Sequence, residues 1–199
     1  MDGVLPSILI SAVSLGVGYF ISWCQNRDLI RTATKLLRPF EAISLRDEFY
    51  MTHILASQIR GASFSPDIIL AITPGGSMIG EWLSRRFLGD WKRPVPMCSI
   101  WIHIERNPEG QHLSPPKACA FVSPLSSEPK KILIVNDISR NGRTLEAALE
   151  SAKKTFQSSA IKTAVLFLSQ DAGPPYPDFF VDKPPRRVVF EWKQAETLD

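Results

Sequence analysis

Lys130–Ala148 reads KKILIVNDISRNGRTLEAA. Ile132–Val135 is wholly apolar and bounded by Lys131 and Asn136, the pattern of a strand buried on both faces. Such a strand delivers Asn136 and Asp137 to the sheet edge. A helix is expected from about Thr144 to Phe156, after the segment Asp137–Arg143. Between strand and helix lie Ser139, Asn141 and Gly142, with Thr144 at the helix start. A strand-to-helix turn of this composition makes a phosphate cradle, because backbone N–H groups, hydroxyls and a helix N-terminus converge on one point. Gly142 would let the backbone approach closely. Asp137 is an acid in a place suited to ribose hydroxyls or a metal. An ordinary strand-to-helix turn with a capping residue accounts for Ser139 and Asn141 equally well.

The same alternation extends outward over 41–193. Ser44 with Asp47 looks like a helix start. Leu45, Phe49, Thr52, Leu55, Ala56 and Ile59 then recur at helical spacing as far as Arg60 and Gly61. Ile68–Ile72 reads as a short buried strand ending in Thr73-Pro74-Gly75-Gly76. A helix follows over Ser77–Phe87, with Met78, Ile79, Trp82, Leu83 and Phe87 on its apolar side. Met97–Glu105 alternates as a strand, Ala118–Val122 is a short one, and Asn107–Lys117 is a loop. Thr163–Leu168 and Val188–Trp192 are the last strands. Pro174, Pro175, Pro177, Pro184 and Pro185 mark irregular loops around the final one. The alternation predicts an α/β fold, an open and mostly parallel sheet with flanking helices. Ligands in such folds bind beyond the C-terminal ends of the strands.

The chain has 199 residues, 44% hydrophobic and 22% charged, which excludes a fully disordered chain and a disulfide-dense miniature scaffold. A net charge of +3 predicts no nucleic-acid partner. Cys24, Cys98 and Cys119 lie far apart, so neither a structural zinc site nor a disulfide framework is expected. His53, His103 and His112 match no metal spacing. Trp82 and Trp101 read as core residues. Arg85-Arg86 and Lys153-Lys154 read as solvated helix faces.

The mean hydropathy of -0.02 conceals an uneven distribution. No charged residue occurs from Gly3 to Cys24, a stretch that reaches the ~20 residues needed to cross a bilayer. Tyr19 and Trp23 sit near its end, where aromatic rings favour the interface. Arg27, Arg31, Lys35 and Arg38 follow, which predicts that the C-terminal bulk stays cytoplasmic. A cleaved signal peptide would carry its basic cluster on the other side. A buried core helix is the other reading, and it would be apolar on every face. Asp28–Leu37 reads as a continuing helix, interrupted at Pro39. The expected organisation is a single-pass transmembrane anchor at 1–26, contacting the lipid bilayer through 3–24. A basic juxtamembrane helix and linker follow at 27–40, the α/β domain at 41–193, and a tail at 194–199.

Lys130–Ala148 resembles the signature of the type I phosphoribosyltransferases: an apolar strand, two acids, and a short loop ending in Thr-Gly-x-Thr. Here these are ILIV, Asn136-Asp137, and Asn141-Gly142-Arg143-Thr144. Ser63–Leu88 resembles the family's pyrophosphate-loop region, with strand, Gly-Gly and helix in order. Pro177–Trp192, PDFFVDKPPRRVVFEW, is similar to the C-terminal hood of the xanthine, guanine and hypoxanthine branch, where an aromatic residue stacks on the purine. The resemblance implies a phosphoribosyltransferase-like sheet behind one transmembrane helix, and a homodimer. It implies a transferase reaction at the anomeric carbon of phosphoribosyl pyrophosphate, with Mg²⁺ on the departing pyrophosphate and a nucleobase nitrogen attacking. The transition state would be oxocarbenium-like, so positioning and charge stabilisation would dominate.

Carried over residue by residue, Asp137 would hold a ribose hydroxyl or the metal shell, with Asn136 beside it in the catalytic pair. Ser139, Arg140, Asn141, Gly142, Arg143 and Thr144 would hold the 5′-phosphate. Thr73, Gly75, Gly76 and Ser77 would line the pyrophosphate side. Trp192 and Phe190, with Val189 nearby, would cover the base, and Asn107–Pro116 would be a flap. Four positions depart from the family. Asn136 replaces its first acid, and Arg140 replaces an acid that handles a base proton. Pro74 stands where a basic residue meets pyrophosphate, and Ser169 falls near a lysine that reads the purine oxygen. Two kinds of function therefore follow. One is a membrane-anchored phosphoribosyltransferase acting on a purine-like base. The other is a nucleotide or phosphoribosyl-pyrophosphate sensor, or a partner-controlled membrane effector, without turnover.

Overall fold

Strand β2 (Ile68–Thr73) is buried along almost its whole length, as its unbroken apolar run requires. A computed structural model of the chain describes residues 40–87, 94–104, 114–118, 128–185 and 187–194. β2 is flanked on both sides by parallel neighbours, β3 (Met97–His103) and β5 (Lys131–Ser139). The six-stranded sheet runs β4-β3-β2-β5-β6-β7, where β4 is Lys117–Ala118, β6 is Ala160–Leu168 and β7 is Phe179–Asp182. All pairings are parallel except β3 with β4. β1 (Phe40–Ile43) and β8 (Arg187–Phe190) form a separate two-stranded sheet. From Ala42 onward the chain is one compact unit, Ala42–Asp199.

Helix α1 (Leu45–Gly61) starts at Ser44 with the expected capping box. The Asp47 amide donates to Ser44 Oγ at 3.2 Å, and the Ser44 amide donates to Asp47 Oδ2 at 3.3 Å. Helix α2 (Gly75–Arg86) begins two residues before the sequence pattern suggests, because Gly75 and Gly76 are already helical. Helix α3 (Arg143–Thr155) follows β5, and a short helix α4 (Glu191–Gln194) follows β8.

The sheet separates two apolar layers. Leu55 and Ile59 of α1 and Ile79 and Leu83 of α2 pack on Ile69, Ala71, Leu133 and Val135. Leu145, Ala148 and Ala152 of α3 pack on Ile68, Leu70, Ile132 and Ile134 of the opposite face. Alternate residues of β2 and β5 thus serve different helices. Two aspartates fix the register outside these layers. Asp67 Oδ2 accepts the Lys130 and Lys131 amides, each at 2.9 Å, at the start of β5. Asp178 Oδ2 accepts the Thr163 amide at 2.8 Å, which ties the segment leading into β7 to β6.

Several sequence expectations are revised. Asn136–Ser139 is strand, with Asn136, Ile138 and Ser139 in register with Val165, Phe167 and Leu168 of β6. Its polar side chains hide this, but the ladder is made by backbone groups. Phe179–Asp182, expected as hood, is the edge strand β7, and the final strand stops at Phe190, with Glu191 and Trp192 in α4. Trp101 is 55% exposed and does not belong to the core. Among the described residues no helix is long and apolar enough to cross a membrane. The segment 3–24, residues 27–39, most of the expected strand Ala118–Val122, most of the flap and the tail beyond Gln194 lie outside the described residues.

Gly142 begins α3 in the left-handed region, at φ 75°. A Cβ built there would stand 2.4 Å from the Pro174 carbonyl oxygen. The glycine is therefore required by its own chain neighbours, independently of any ligand. Gly142→Ala is expected to cost about 1–3 kcal/mol in strain alone, read as a lower midpoint in urea denaturation. An unchanged midpoint would show that the turn relaxes freely.

Candidate functional site at the switch point

The sheet order reverses at β2. β3 lies on one side of it, and β5, reached after the second crossover, lies on the other. α2 leaves β2 over one face and α3 leaves β5 over the opposite face. The two strand ends consequently part, and a crevice opens outside them, as open α/β sheets require at such a reversal. A cavity of about 260 Å³ occupies this place.

Three segments supply its walls. Thr73, Pro74 and Gly75 come from the end of β2, and Asn136–Gly142 with Thr144 from the end of β5 and the start of α3. Trp101, Ile102 and Ile104 come from the end of β3. Of the expected site residues the cavity gathers Thr73, Gly75, Asn136, Asp137, Ser139, Arg140, Asn141, Gly142 and Thr144.

Asp137 is the best-enclosed of these charges, 3% exposed. Its Oδ1 accepts the Ile138 amide at 2.7 Å. Its carboxylate lies directly against Gly75. A Cβ on Gly75 would fall 2.4 Å from Asp137 Cγ, so a side chain at position 75 would evict the carboxylate. The acid thus sits at the N-terminus of α2, whose first-turn N–H groups favour a negative charge. Asn136 Nδ2 donates to the Ile138 carbonyl at 3.1 Å, which sets the amide plane. Thr73 Oγ1 donates to the Ile100 carbonyl at 3.4 Å and joins the β2 loop to β3.

The polar turn residues divide by role. Asn141 Oδ1 accepts the Arg143 amide at 3.3 Å, so it serves the start of α3 in the manner of a cap. Gly142 offers no side-chain cap, so the N-terminus of α3 is otherwise open at the cavity. Ser139 Oγ is buried and has no hydrogen-bond partner among the described residues. A buried hydroxyl without a partner costs about 1–3 kcal/mol, a cost that a ligand oxygen would remove.

Other expected residues lie elsewhere. Gly76 packs against the Val135 carbonyl, and Ser77 belongs to the first turn of α2; neither lines the cavity. Arg143 lines a different hollow, with Ser114–Pro116, Glu146 and Glu150. Phe190 is 1% exposed, its ring 5.9 Å from Phe167 and 6.0 Å from Trp192. Phe190 packs in the core and Trp192, partly buried, packs against it, and neither lines this cavity. Val188 takes the lining position instead, in a neighbouring cavity of about 220 Å³ with Arg140, Ser169, Asp171 and Arg187. Trp101 and Ile102 are wall residues that the loop motifs do not mark. The signal for Trp101 is its outward phase on a strand whose inward phase is Ile100 and Ile102.

Among the described residues no three His, Cys, Asp or Glu side chains converge as a metal cluster. Burial pushes the Cys98 thiol up from its usual range, which disfavours a thiolate on β3.

Comparison with known proteins agrees with this architecture. Residues 48–196 match the family model described as the phosphoribosyl transferase domain. The bifunctional protein PyrR of Geobacter sp. strain M21 is 28% identical over 99 residues, 50% of this chain and 56% of that protein. The chain spans about half the length of the curated relatives it matches. A purine phosphoribosyltransferase from Pyrococcus horikoshii Ot3 superposes with a TM-score of 0.60 at 25% identity, over 78% of this chain and 95% of that one. The xanthine-guanine-hypoxanthine phosphoribosyltransferase of Helicobacter pylori gives 0.63 at 19% identity, over 79% and 99%. With its switch-point crevice, its strand-end Asp137 and its open α3 N-terminus all inside the matched region, the chain belongs to the phosphoribosyl transferase domain family.

Proposed function

We propose that the switch-point cavity binds the ribose 5-phosphate part of phosphoribosyl pyrophosphate or of a nucleotide, and that the protein transfers the phosphoribosyl group to a nucleobase. The observation that carries this reading is the Ser139 hydroxyl, buried without a partner among the described residues, in the cavity beside the N-terminus of α3, which Gly142 leaves without a side-chain cap of its own. A 5′-phosphate there would accept from Ser139, from Thr144 and from first-turn amides, and would face the positive end of the helix. Asn136 and Asp137 line the same cavity from the end of the same strand and would meet the ribose hydroxyls. Trp101 and Ile102 close the third side and exclude water from the anomeric carbon.

Mg²⁺ fits this site as an ion shared with the ligand. Asp137 offers one carboxylate, and no protein cluster of three ligands accompanies it among the described residues. Magnesium commonly needs only one or two carboxylates plus substrate phosphates and water. When bound, it would neutralise the departing pyrophosphate. Thr73 and the Gly75 amide would orient that group, and Asp137 and Asn136 would fix the ribose while positive charge develops.

A second reading, nucleotide binding without turnover, is favoured by Arg140 and Pro74. Arginine cannot take a base proton at neutral pH, and proline brings neither charge nor N–H to the pyrophosphate side. We also propose the organisation expected from the sequence: an anchor at 1–26, a basic linker at 27–40, the transferase-like domain at 41–193 in the cytoplasm, and a tail at 194–199. Self-association as a homodimer belongs to the same proposal.

With the full chain, phosphoribosyl pyrophosphate, Mg²⁺ and a panel of nucleobases, pyrophosphate release is expected, and Asp137→Ala should abolish it. Calorimetric binding without release would establish the second reading. Neither signal in a folded protein would overturn both. Ser139→Ala should weaken ribose 5-phosphate binding about 10- to 100-fold, the worth of a hydrogen bond to a charged group, while the melting temperature of the ligand-free protein holds or rises. Unchanged affinity would move the phosphate site elsewhere. For the anchor, the full chain should sediment with membranes through alkaline carbonate washing and be released by detergent. Recovery in the soluble fraction would exclude the anchor.

A further inference from the structure

α1 and α2 cover one face of the sheet, packed on it through Leu55, Ile59, Ile79 and Leu83. The other side of the same helices carries a second apolar surface. Of the large hydrophobic side chains that stand exposed among the described residues, Leu45 (44%), Phe49 (46%) and Tyr50 (67%) share the first two turns of α1. Leu45, Phe49 and His53 follow one another at i, i+4 spacing, which makes a single stripe along the helix. Trp82 of α2 widens it. Its ring meets Phe49 edge-on at 5.3 Å, and Phe49 meets His53 at 4.6 Å. Contiguous exposed apolar surface of this kind marks a contact site.

Guanidinium groups border the seam. Arg46 lies one turn before Tyr50, and Arg85 and Arg86 lie one turn after Trp82; all three are exposed. The acids of these two helices are engaged within the fold. Asp47 closes the capping box, Glu81 pairs with Arg85 at 2.7 Å, and Glu48 is fully buried. Aromatic rings flanked by arginines suit the boundary between water and hydrocarbon. Trp and Tyr rings settle there at headgroup depth, and the arginine fork matches a phosphate.

The covalent tether decides which surface meets this seam. Residues 27–39 are all that separates the proposed anchor from β1, and α1 follows β1 directly after Ser44. Fully extended, that segment spans about 45 Å at ~3.5 Å per residue, so the start of α1 stays within that distance of the bilayer. A face with interfacial chemistry is thereby held at high effective concentration over lipid.

We propose that the α1–α2 seam, Leu45, Phe49, Tyr50 and Trp82 with Arg46, Arg85 and Arg86, lies on the phospholipid headgroup layer as a second, peripheral membrane contact. The proposal depends on the anchor at 1–26 proposed above. The contact would set which way the domain faces the bilayer, which one spanning helix alone does not.

The full chain reconstituted in phosphatidylcholine–phosphatidylserine vesicles tests it, with lipids brominated near the headgroup end of the acyl chain as the fluorescence quencher. The emission lost in Trp82→Phe isolates Trp82, and the emission lost in Trp23→Phe isolates Trp23 of the anchor segment. Both components should be quenched relative to unbrominated vesicles. Tyr50→Trp, at a position already exposed, should add a further quenchable component without disturbing the core. Arg46→Glu together with Arg86→Glu should relieve the quenching of Trp82 and leave that of Trp23. Quenching of Trp23 with both Trp82 and the Tyr50→Trp reporter unquenched would overturn this inference alone. An unquenched Trp23 would overturn the anchor and this inference with it.

Discussion

The parallel pairing of β2 with β5 is the constraint on which the site depends. Ile68–Ala71 run in register with Ile132–Val135, so the end of β2 at Thr73 comes level with the Asn136–Asp137 stretch of β5, which runs on to Ser139. Opposite faces of those strands feed α2 and α3. One backbone ladder therefore brings a glycine turn and an acidic strand end into contact. The contact is close enough that Gly75 and Asp137 cannot change independently. Asp67, by accepting the first two amides of β5, keeps the ladder from slipping by a residue. A slip would send Asp137 to the other face of the sheet.

Charge at the crevice is distributed unevenly as a result. Asp137 is held at the N-terminus of α2, so the positive end of that helix is already met by an internal carboxylate. The N-terminus of α3 has no cap from Gly142, only the Asn141 amide oxygen on the Arg143 amide, and it adjoins Arg140. An incoming anion finds the stronger field at the α3 turn. The two turns look alike in sequence, each a strand followed by glycine and a hydroxyl, yet they offer a ligand different potentials.

The strand–turn–helix grammar of the sheet is legible in the sequence because apolar runs such as Ile68–Ile72 and Ile132–Val135 are long, unbroken and bounded by punctuating residues. The capping box at Ser44 and Asp47 is legible for the same reason, since a local rule determines it. The features that escape are set by tertiary partners. Phe179–Asp182 is four residues between prolines, and only the free edge of β6 makes it a strand. Asn136–Ser139 reads as loop until β6 supplies its ladder. Phe190 and Trp192 read as a ring platform, because sequence gives aromatic character but not the direction in which the ring is buried. In the site, the phosphate turn is visible as a motif. The β3 wall is not, because Trp101 and Ile102 reach the cavity only through the β2–β3 pairing.

The asymmetry of charge bears on whether the site turns a substrate over or only holds it. Thr73, Pro74, Gly75, Gly76 and Ser77, the proposed pyrophosphate side, contain no cation. The Asp137 carboxylate lies against Gly75 there and would repel a second phosphate-bearing arm. At the opposite end the proposed 5′-phosphate would meet the α3 terminus and Arg140. Under the proposed reading, this arrangement would suit a monophosphate better than a ligand that carries charge at both ends. Catalysis on phosphoribosyl pyrophosphate demands a compensating cation that arrives with the pyrophosphate, whereas binding of a nucleotide demands nothing further. Under the proposed reading, turnover and sensing on this scaffold would differ by one electrostatic requirement at the β2 turn, where Pro74 supplies neither charge nor N–H.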